Sequence, residues 1–476
     1  MAASGTGGTA PPNMIFIFPD QWRGDCLSFL GHPTVETPFL DQMAHEGVCF
    51  TNAFTPCPSC IAARAALMTG MTPSETGRMG YLDGVPWNYQ VLFPQLLRNH
   101  GYQTMCVGKT HFHPIRAHLG FEELELYEMP YQDWGYPSDY HLWLREKSNG
   151  LIRDTAMDLD SNSMSVVHPW THSEELHPNA WNITRGIELL ERRDPTRPFF
   201  LQLSFHRPHP PLDPVLSYFE RYLHKELPIG DWAADNIQPI KTVYPGIGII
   251  PAVQLDRARR AYYAQISHID YQIGRLIRHL RGRQMLANTW LVFAADHGEL
   301  LGDHHLYRKV NAFQGSMQIP LIVRPPTGNQ WAQDRICEHP TVLQDLAPTF
   351  LELAGVPRPE QMSARSLCPQ LQYPATPGRE FIHSEHAPAW QCVTDGREKF
   401  IWHTLSDRRW FFDLTADPQE KIDLSAAPGH RGRLALWEKR LVDILSARPA
   451  DGLSDGEKLL PGNSFSAVRE ELLTKS

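Results

Sequence analysis

The chain of 476 residues predicts an α/β fold, with a large domain around a central, mostly parallel sheet flanked by helices and a smaller C-terminal α+β domain behind it. Three observations carry that prediction. Short apolar runs end repeatedly in polar, chemistry-bearing residues, and helical segments such as Leu255–Arg281 and Val342–Ala354 alternate with them. A Pro- and Gly-bearing stretch from Cys368 to Gly378 then reads as a linker. The resulting organisation is a flexible tail at 1–13, a large domain at 14–375 and a small one at 376–476.

Taken in order, the strands share one property at their ends. Met14–Phe18 runs into Pro19-Asp20-Gln21, and Thr104–Gly108 into Lys109-Thr-His111. Phe199–Phe205 runs into His206-Arg-Pro-His209, and Thr289–Ala295 into Asp296-His297-Gly298-Glu299. The first and last read as buried parallel strands, being short and almost wholly apolar. Open α/β sheets bind ligands outside the carboxyl ends of their strands, so these acids, amines and imidazoles are expected to converge. Asp20, Asp296 and His297 form a candidate divalent-metal set, hard oxygens plus one imidazole, compatible with calcium, manganese or zinc. In the small domain, Glu380–His386, Gln391–Thr394 and Lys399–His403 read as strands and Leu434–Ser446 as a helix. Residues 450–476 are charged and irregular.

Composition narrows the function. A formal net charge of −9 argues against nucleic acid and against a broad basic groove, so any anion site must be local. No segment reaches the roughly 18 uninterrupted apolar residues of a membrane span. Residues 1–13 lack a basic n-region and an apolar core, so a cytoplasmic protein is expected. The 8 cysteines lack the spacing of a disulfide scaffold or a zinc knuckle, and most are expected as small buried hydrophobes.

One stretch stands apart: Cys57-Pro-Ser-Cys60-Ile-Ala-Ala-Arg64-Ala-Ala-Leu67-Met-Thr69-Gly70. Its Ala-rich run should open a helix at Cys60, where backbone N–H groups and the helix dipole favour negative charge. The spacing resembles the sulfatase signature Cys-x-(Pro/Ala)-x-Arg with Leu at +7 and Thr-Gly at +9 and +10, and Cys57, with Ile61 at +4, is out of register. Ala62 stands where proline is commoner. Gly101-Tyr102 through Gly108-Lys109-Thr-His111, Pro208-His209-Pro210, Lys309, Asp395–Phe400 and Trp410–Leu414 with Asp417-Pro418 are similar to further blocks of the same family. Blocks far apart along the chain but in one order extend the likeness from about residue 14 to about residue 425.

That resemblance implies an alkaline phosphatase-like large domain and hydrolysis of a sulfate ester, on a small molecule or a carbohydrate. It implies formylglycine, made from Cys60 by a maturase, as the hydrated nucleophile, with one hydroxyl activated by Asp296 or the metal. One divalent ion, calcium first, is implied at Asp20, Gln21, Asp296 and His297, although Gln21 replaces the family's second aspartate and removes a charge. Lys109 and Lys309 would neutralise sulfate oxygens, His209 or Lys309 would protonate the leaving oxygen, His111 would take the proton that expels sulfate, and Arg64 would hold the formylglycine loop. Phosphonate monoester hydrolases of the same superfamily resemble the chain too, and a non-catalytic binding protein on the same scaffold is the third reading. Trp87, His113, His177, Trp181, His304 and His305 are candidates for lining a specificity pocket. Neither a nucleic-acid nor a membrane partner is expected, and self-association into a homo-oligomer stays open.

Overall fold

In the computed structural model, residues 11–128, 138–158, 166–227 and 250–473 are described. Residues 1–10 of the expected tail lie outside them, and Asn13 already begins the first strand. The described residues hold fourteen strands: β1 (Asn13–Ile17), β2 (Val48–Phe50), β3 (Ala53–Phe54), β4 (Gln103–Gly108), β5 (Glu123–Leu126), β6 (Phe199–Ser204), β7 (Thr289–Ala294), β8 (Leu321–Arg324), β9 (Arg335–Cys337), β10 (Thr341–Val342), β11 (Ile382–His386), β12 (Trp390–Thr394), β13 (Glu398–His403) and β14 (Arg408–Asp413).

Eight of them make the main sheet, ordered β5-β4-β6-β1-β7-β8-β2-β9. From β5 to β7 every pairing is parallel, and β8 runs antiparallel to both of its neighbours. Strands β4, β6 and β7 are buried at every residue because both faces are covered, which explains why they read as unbroken apolar runs. On one face Phe200 packs against Phe93 and Phe350, from the helices Phe93–Asn99 and Leu346–Leu353. Leu203, of opposite parity in the same strand, presses on Gly186 of the helix Pro178–Arg192, which in turn packs on the long helix Ala252–Gly282. No described helix is long and apolar enough to cross a membrane.

The second sheet, β11-β12-β13-β14, is an antiparallel meander. Its two faces separate cleanly. Ile382, Trp390, Cys392, Ile401, Trp410 and Phe412 pack on Leu300, Leu306, Val310 and Phe313 of the large domain. Val393, Phe400, Trp402 and Phe411 cover Trp437 and Leu441 of the helix Arg431–Ser446. The fourth strand, β14, contains Trp410-Phe-Phe-Asp413, which the sequence offered as a family block rather than as a strand. Within the expected linker, Cys368–Gln372 forms a short helix, started by Pro369 in its first turn, where the missing N–H costs nothing. The irregular C-terminal segment is pinned down: Leu453, Phe465 and Val468 are buried, and Met79 donates its N–H to the Ala467 carbonyl at 2.8 Å.

Just ahead of that segment Arg448 forms a buried ion pair with Glu385 of the second sheet at 2.7 Å and a second with Asp451 at 2.5 Å. Burial works against the Glu385 charge, yet the Arg448 guanidinium and His383 hold its carboxyl below the usual range. An acid with a depressed folded pKa contributes stability above its ordinary titration range and loses it as pH falls through the folded value. Glu385→Gln should therefore cost about 3 kcal/mol at neutral pH, and that cost should shrink in acid below about pH 4. Urea midpoints of both proteins across pH check it; an equal gap at pH 3 and pH 7 would contradict the charge assignment.

Candidate active site

The carboxyl ends of β1, β4, β6 and β7 meet at one edge of the main sheet. Pairing continues past the strand ends, since Phe18 donates its N–H to the Leu203 carbonyl at 2.8 Å, Phe205 donates to the Phe18 carbonyl at 3.1 Å and Asp20 donates to the Phe205 carbonyl at 3.0 Å. This brings the loop of His209 beside Asp20, and Asp20 forms a parallel bridge with Pro208.

Cys60 opens a ten-residue helix, Cys60–Thr69, buried throughout and closed by Gly70 at φ 67°, a left-handed cap that a side chain would strain. Its sulfur is caged. His297 Nε2 and Lys309 Nζ each lie 3.2 Å from Sγ, Asp20 Oδ1 3.7 Å and Lys109 Nζ 4.0 Å. Burial and the Asp20 carboxylate push the thiol up, but Lys109, Lys309 and His297 bring it well below the usual range. Cys57, three residues earlier, lacks such company, and burial raises it. The two cysteines that the signature separates by register are thus separated by electrostatics as well.

Arg64, one helical turn on, fastens the site together. Its Nε donates to Asp296 Oδ2 at 3.0 Å, its Nη1 to the Lys109 carbonyl at 2.9 Å and to Ser204 Oγ at 3.0 Å, and its guanidinium lies 4.7 Å above the Phe18 ring. Lys109 pairs with Asp20 Oδ2 at 2.5 Å. Burial works against the Asp20 charge, yet Lys109, His209, Lys309 and His297 hold the acid well below its usual range. Asp296 moves the other way, raised by burial and by the Asp20 charge beside it.

Asp20, Cys60, Asp296 and His297 each place one ligand atom within 4.8 Å of the others, all fully buried. Two crowded carboxylates and an imidazole fit a divalent cation, which would relieve the repulsion that raises Asp296. Gln21 belongs to the same cluster by a different route. Its Oε1 accepts from Lys309 Nζ at 2.7 Å while its amide nitrogen donates to Glu299, which fixes the carbonyl oxygen toward Lys309. Gln21 and His111 both hold positive φ, 67° and 61°, a strained conformation of the kind that clusters at functional sites.

His111 Nε2 lies 3.1 Å from Asp83 Oδ1, and Glu128 accepts the backbone N–H groups of both Thr110 and His111. Burial disfavours the charged ring, but Asp83 and the Cys60 sulfur outweigh it and raise the pKa. His209 Nδ1 donates to the Pro210 carbonyl at 2.8 Å, and burial together with Lys309 holds this ring well below the usual range. All ten residues expected at the site therefore lie at one edge.

The pocket candidates divide. Trp87 and His113 line a small cavity with His111 and Asp83. His177 and Trp181 do not reach the site; both are buried in the core, His177 against Asp213 and Trp181 against Tyr140. His304, of the pair between Asp296-His297 and Lys309, stacks on Phe313 at 4.3 Å and lines a different cavity, with Arg23, Asp25 and Glu420. Glu299, Asp83, Glu128 and Ser204 support the site without having been expected there. Only Glu299 had a signal, its place in Asp296-His297-Gly298-Glu299.

An edge that sets a nucleophile among cations at a helix N-terminus is built for a tetrahedral anion, as in the metal-assisted ester hydrolases of alkaline phosphatase-like fold. Within that class, the family model described as Sulfatase matches residues 12–356, and one described as N-sulphoglucosamine sulphohydrolase, C-terminal matches 302–446. The chain belongs to the sulfatase family, and it is a sulfuric-ester hydrolase. It is 37% identical to an arylsulfatase of Clostridium perfringens over 96% of this chain and 99% of that one. It is 27% identical to a choline-sulfatase of Rhizobium meliloti over 88% and 83%. In fold it is similar to the phosphonate monoester hydrolase of Agrobacterium radiobacter, at TM-score 0.75 and 24% identity, over 92% of this chain and 96% of that one. A protein solved with its substrate D-glucosamine-2-N,6-O-disulfate is similar at TM-score 0.74 and 19% identity, over 93% and 99%. Membership of the family implies a divalent metal and formylglycine.

Gly108 sets where Lys109 starts. It has φ +104°, and a Cβ there would meet the Ser204 carbonyl at 1.8 Å and Asn182 Nδ2 at 2.4 Å. Gly108→Ala should cost about 2 kcal/mol or more of stability. It should also move Lys109 off Asp20 and depress turnover. Wild-type denaturation midpoint and wild-type kcat/KM in this variant would refute the close approach.

Proposed function

We propose that this enzyme releases inorganic sulfate from a small organic sulfate, an aryl ester or the sulfate of a single sugar, with formylglycine formed at Cys60 and calcium at Asp20, Gln21, Asp296 and His297. The observation that carries this reading is the buried cage of His297, Lys309, Lys109 and Asp20 around the Cys60 sulfur, which supports Cys60 as the source of the reactive group. Hydrated formylglycine supplies one hydroxyl for attack and a second whose deprotonation lets sulfate depart, and the ion supplies positive charge beside the sulfate oxygens. The three carboxylate and carbonyl donors around one imidazole support calcium over softer metals.

The chain's own residues do the rest. Lys109 and Lys309 neutralise the sulfate oxygens, because both ammonium groups already face Sγ in a site without bulk water. Arg64 pairs with Asp296 and ties the helix start to the ends of β4 and β6. His209, with Nδ1 committed to Pro210, keeps Nε2 for the leaving oxygen; the incoming anion favours its protonation, which burial opposes. Lys309 stands ready for the same proton. His111 is oriented by Asp83, so that its other ring nitrogen serves as the base toward Cys60.

A phosphonate monoester or phosphodiester carries the same single charge in the same geometry, and the fold neighbour of that activity motivates testing it. A panel of aryl sulfate, aryl phosphonate monoester and aryl phosphodiester is expected to show the highest kcat/KM for the sulfate. A higher value for the phosphonate would replace this reading by its alternative.

Activation is expected to depend on a maturase that accepts Ala62 in place of proline. Protein made without one should carry the plain thiol in a mass spectrum of the Cys60 peptide and show little activity, and Cys60→Ala should be inactive while Cys57→Ala stays near wild type. Full activity of Cys60→Ala would sink the assignment.

Two further variants separate the charge and proton roles. Lys309→Ala should lower kcat/KM by ~10²-fold or more, as loss of an oxyanion donor does. His111→Ala should complete a first turnover, then stall with a sulfated enzyme visible by mass. Steady turnover of His111→Ala without the adduct would remove it from that role.

A further inference from the structure

The small sheet brings one side chain toward the catalytic loop that the mechanism above leaves unused. Strand β11 alternates, so Ile382 and His386 share the face turned to the large domain, whereas Glu385 points away to Arg448. On that face Ile382 packs among Leu300, Leu306, Val310 and Phe313, which bracket Lys309 in sequence. The far end of β11 also lies along the segment leading to Cys60. Glu385 donates its N–H to the Pro56 carbonyl at 3.1 Å, and Ala387 donates to the Met79 carbonyl at 2.7 Å.

His386 is buried, with 2% of its surface exposed. Its Nδ1 faces the backbone carbonyl of Ala387, a group that only accepts, so Nδ1 carries the proton. Burial, with the charges of His297 and Lys309 nearby, holds the ring at about 4 although the Ala387 carbonyl and Glu385 favour its charge. The ring is neutral at physiological pH, and Nε2 is a bare acceptor. Among the described residues it has no hydrogen-bond partner. A buried acceptor without a donor costs free energy, and such groups in native proteins call for an explanation.

The contacts of the Cys60 sulfur narrow what the donor is. Asp20, His297, Lys109 and Lys309 reach Sγ, and His386 is not among them. The anion and nucleophile are thus served by other groups, and an acceptor would be wasted on sulfate oxygens, which are acceptors themselves. We infer that His386 is a specificity-determining residue, whose Nε2 accepts a hydrogen bond from a hydroxyl or N–H on the alcohol part of the sulfate ester, close to the esterified carbon. The inference rests on the sulfatase reading and adds to it the substrate class: esters that carry a donor beside the sulfate. A site built to pair with a substrate hydroxyl rejects the analogue that lacks it far more strongly than a pocket rejects a missing methylene.

Matched aryl sulfates test this, bearing a hydroxyl or a methoxy group ortho or meta to the ester, with phenyl sulfate as reference and fully converted enzyme throughout. In at least one pair, wild type should prefer the hydroxyl ester by ~10-fold or more in kcat/KM. His386→Phe should abolish that preference while phenyl sulfate turnover stays within about threefold, and His386→Gln, which restores an acceptor oxygen, should recover part of it. A preference that survives in His386→Phe overturns the proposal, as does the absence of any preference in wild type. So does an equal loss on all three esters in both variants, which marks a purely structural residue. Failure of wild type to hydrolyse any of the sulfates would instead overturn the sulfatase reading, and this inference with it.

Discussion

The rest of the site depends on one guanidinium. Arg64 is buried, with 1% exposed, and it touches the products of three separate stretches of chain: the Asp296 carboxylate after β7, the Lys109 carbonyl after β4 and the Ser204 hydroxyl at the end of β6. A charge so far from water is tolerable only with opposite charge and hydrogen bonds around it. Here those partners are also the groups of the site. The fixed fork of the guanidinium converts a stabilising requirement into a geometric one, because moving any strand end leaves a buried charge unsatisfied. The helix that begins at Cys60 is therefore held in register with the sheet edge by electrostatics, and its Ala-rich body needs only to be small.

Much of this was legible in the sequence. Cys60 and Arg64 are one helical turn apart, a short-range relation that spacing alone expresses, and the polar residues after each apolar strand declare themselves because parallel buried strands leave little else polar. What stayed hidden was long-range. Asp83 reaches His111 from a loop 28 residues away in sequence, and Glu299 meets Gln21 across 278 residues; no periodicity encodes such pairs. The misplaced histidines and tryptophan fail for the opposite reason. His177, Trp181 and His304 lie close to motifs in sequence, but the helix Pro178–Arg192 turns the first two into the core and the ring of Phe313 captures the third. Proximity along the chain predicts neighbourhood only where the backbone continues straight.

The second domain then acquires a physical purpose. Between Glu299 and Val310 the chain carries five non-glycine residues in the left-handed region: Leu301 at 49°, His304 at 55°, His305 at 58°, Arg308 at 69° and Val310 at 90°. Each is costly, the β-branched Val310 most of all, and such a run persists only where its surroundings over-determine it. Glu299 supplies part of that constraint by accepting the Leu301 and Arg308 N–H groups. The small sheet supplies the remainder. Leu300, Leu306, Val310 and Phe313 are buried against Trp390, Trp410 and Phe412, an apolar contact that pulls the strained loop down and leaves Lys309 pointing at Cys60. An extended loop of ordinary backbone would follow the sheet edge and carry Lys309 away from the sulfur. The strain is what turns it back, and the hydrophobic face of a separately built sheet is what makes the strain affordable. Site and second domain are thus one mechanical unit, joined by the apolar contact of Trp390, Trp410 and Phe412 with the residues on either side of Lys309.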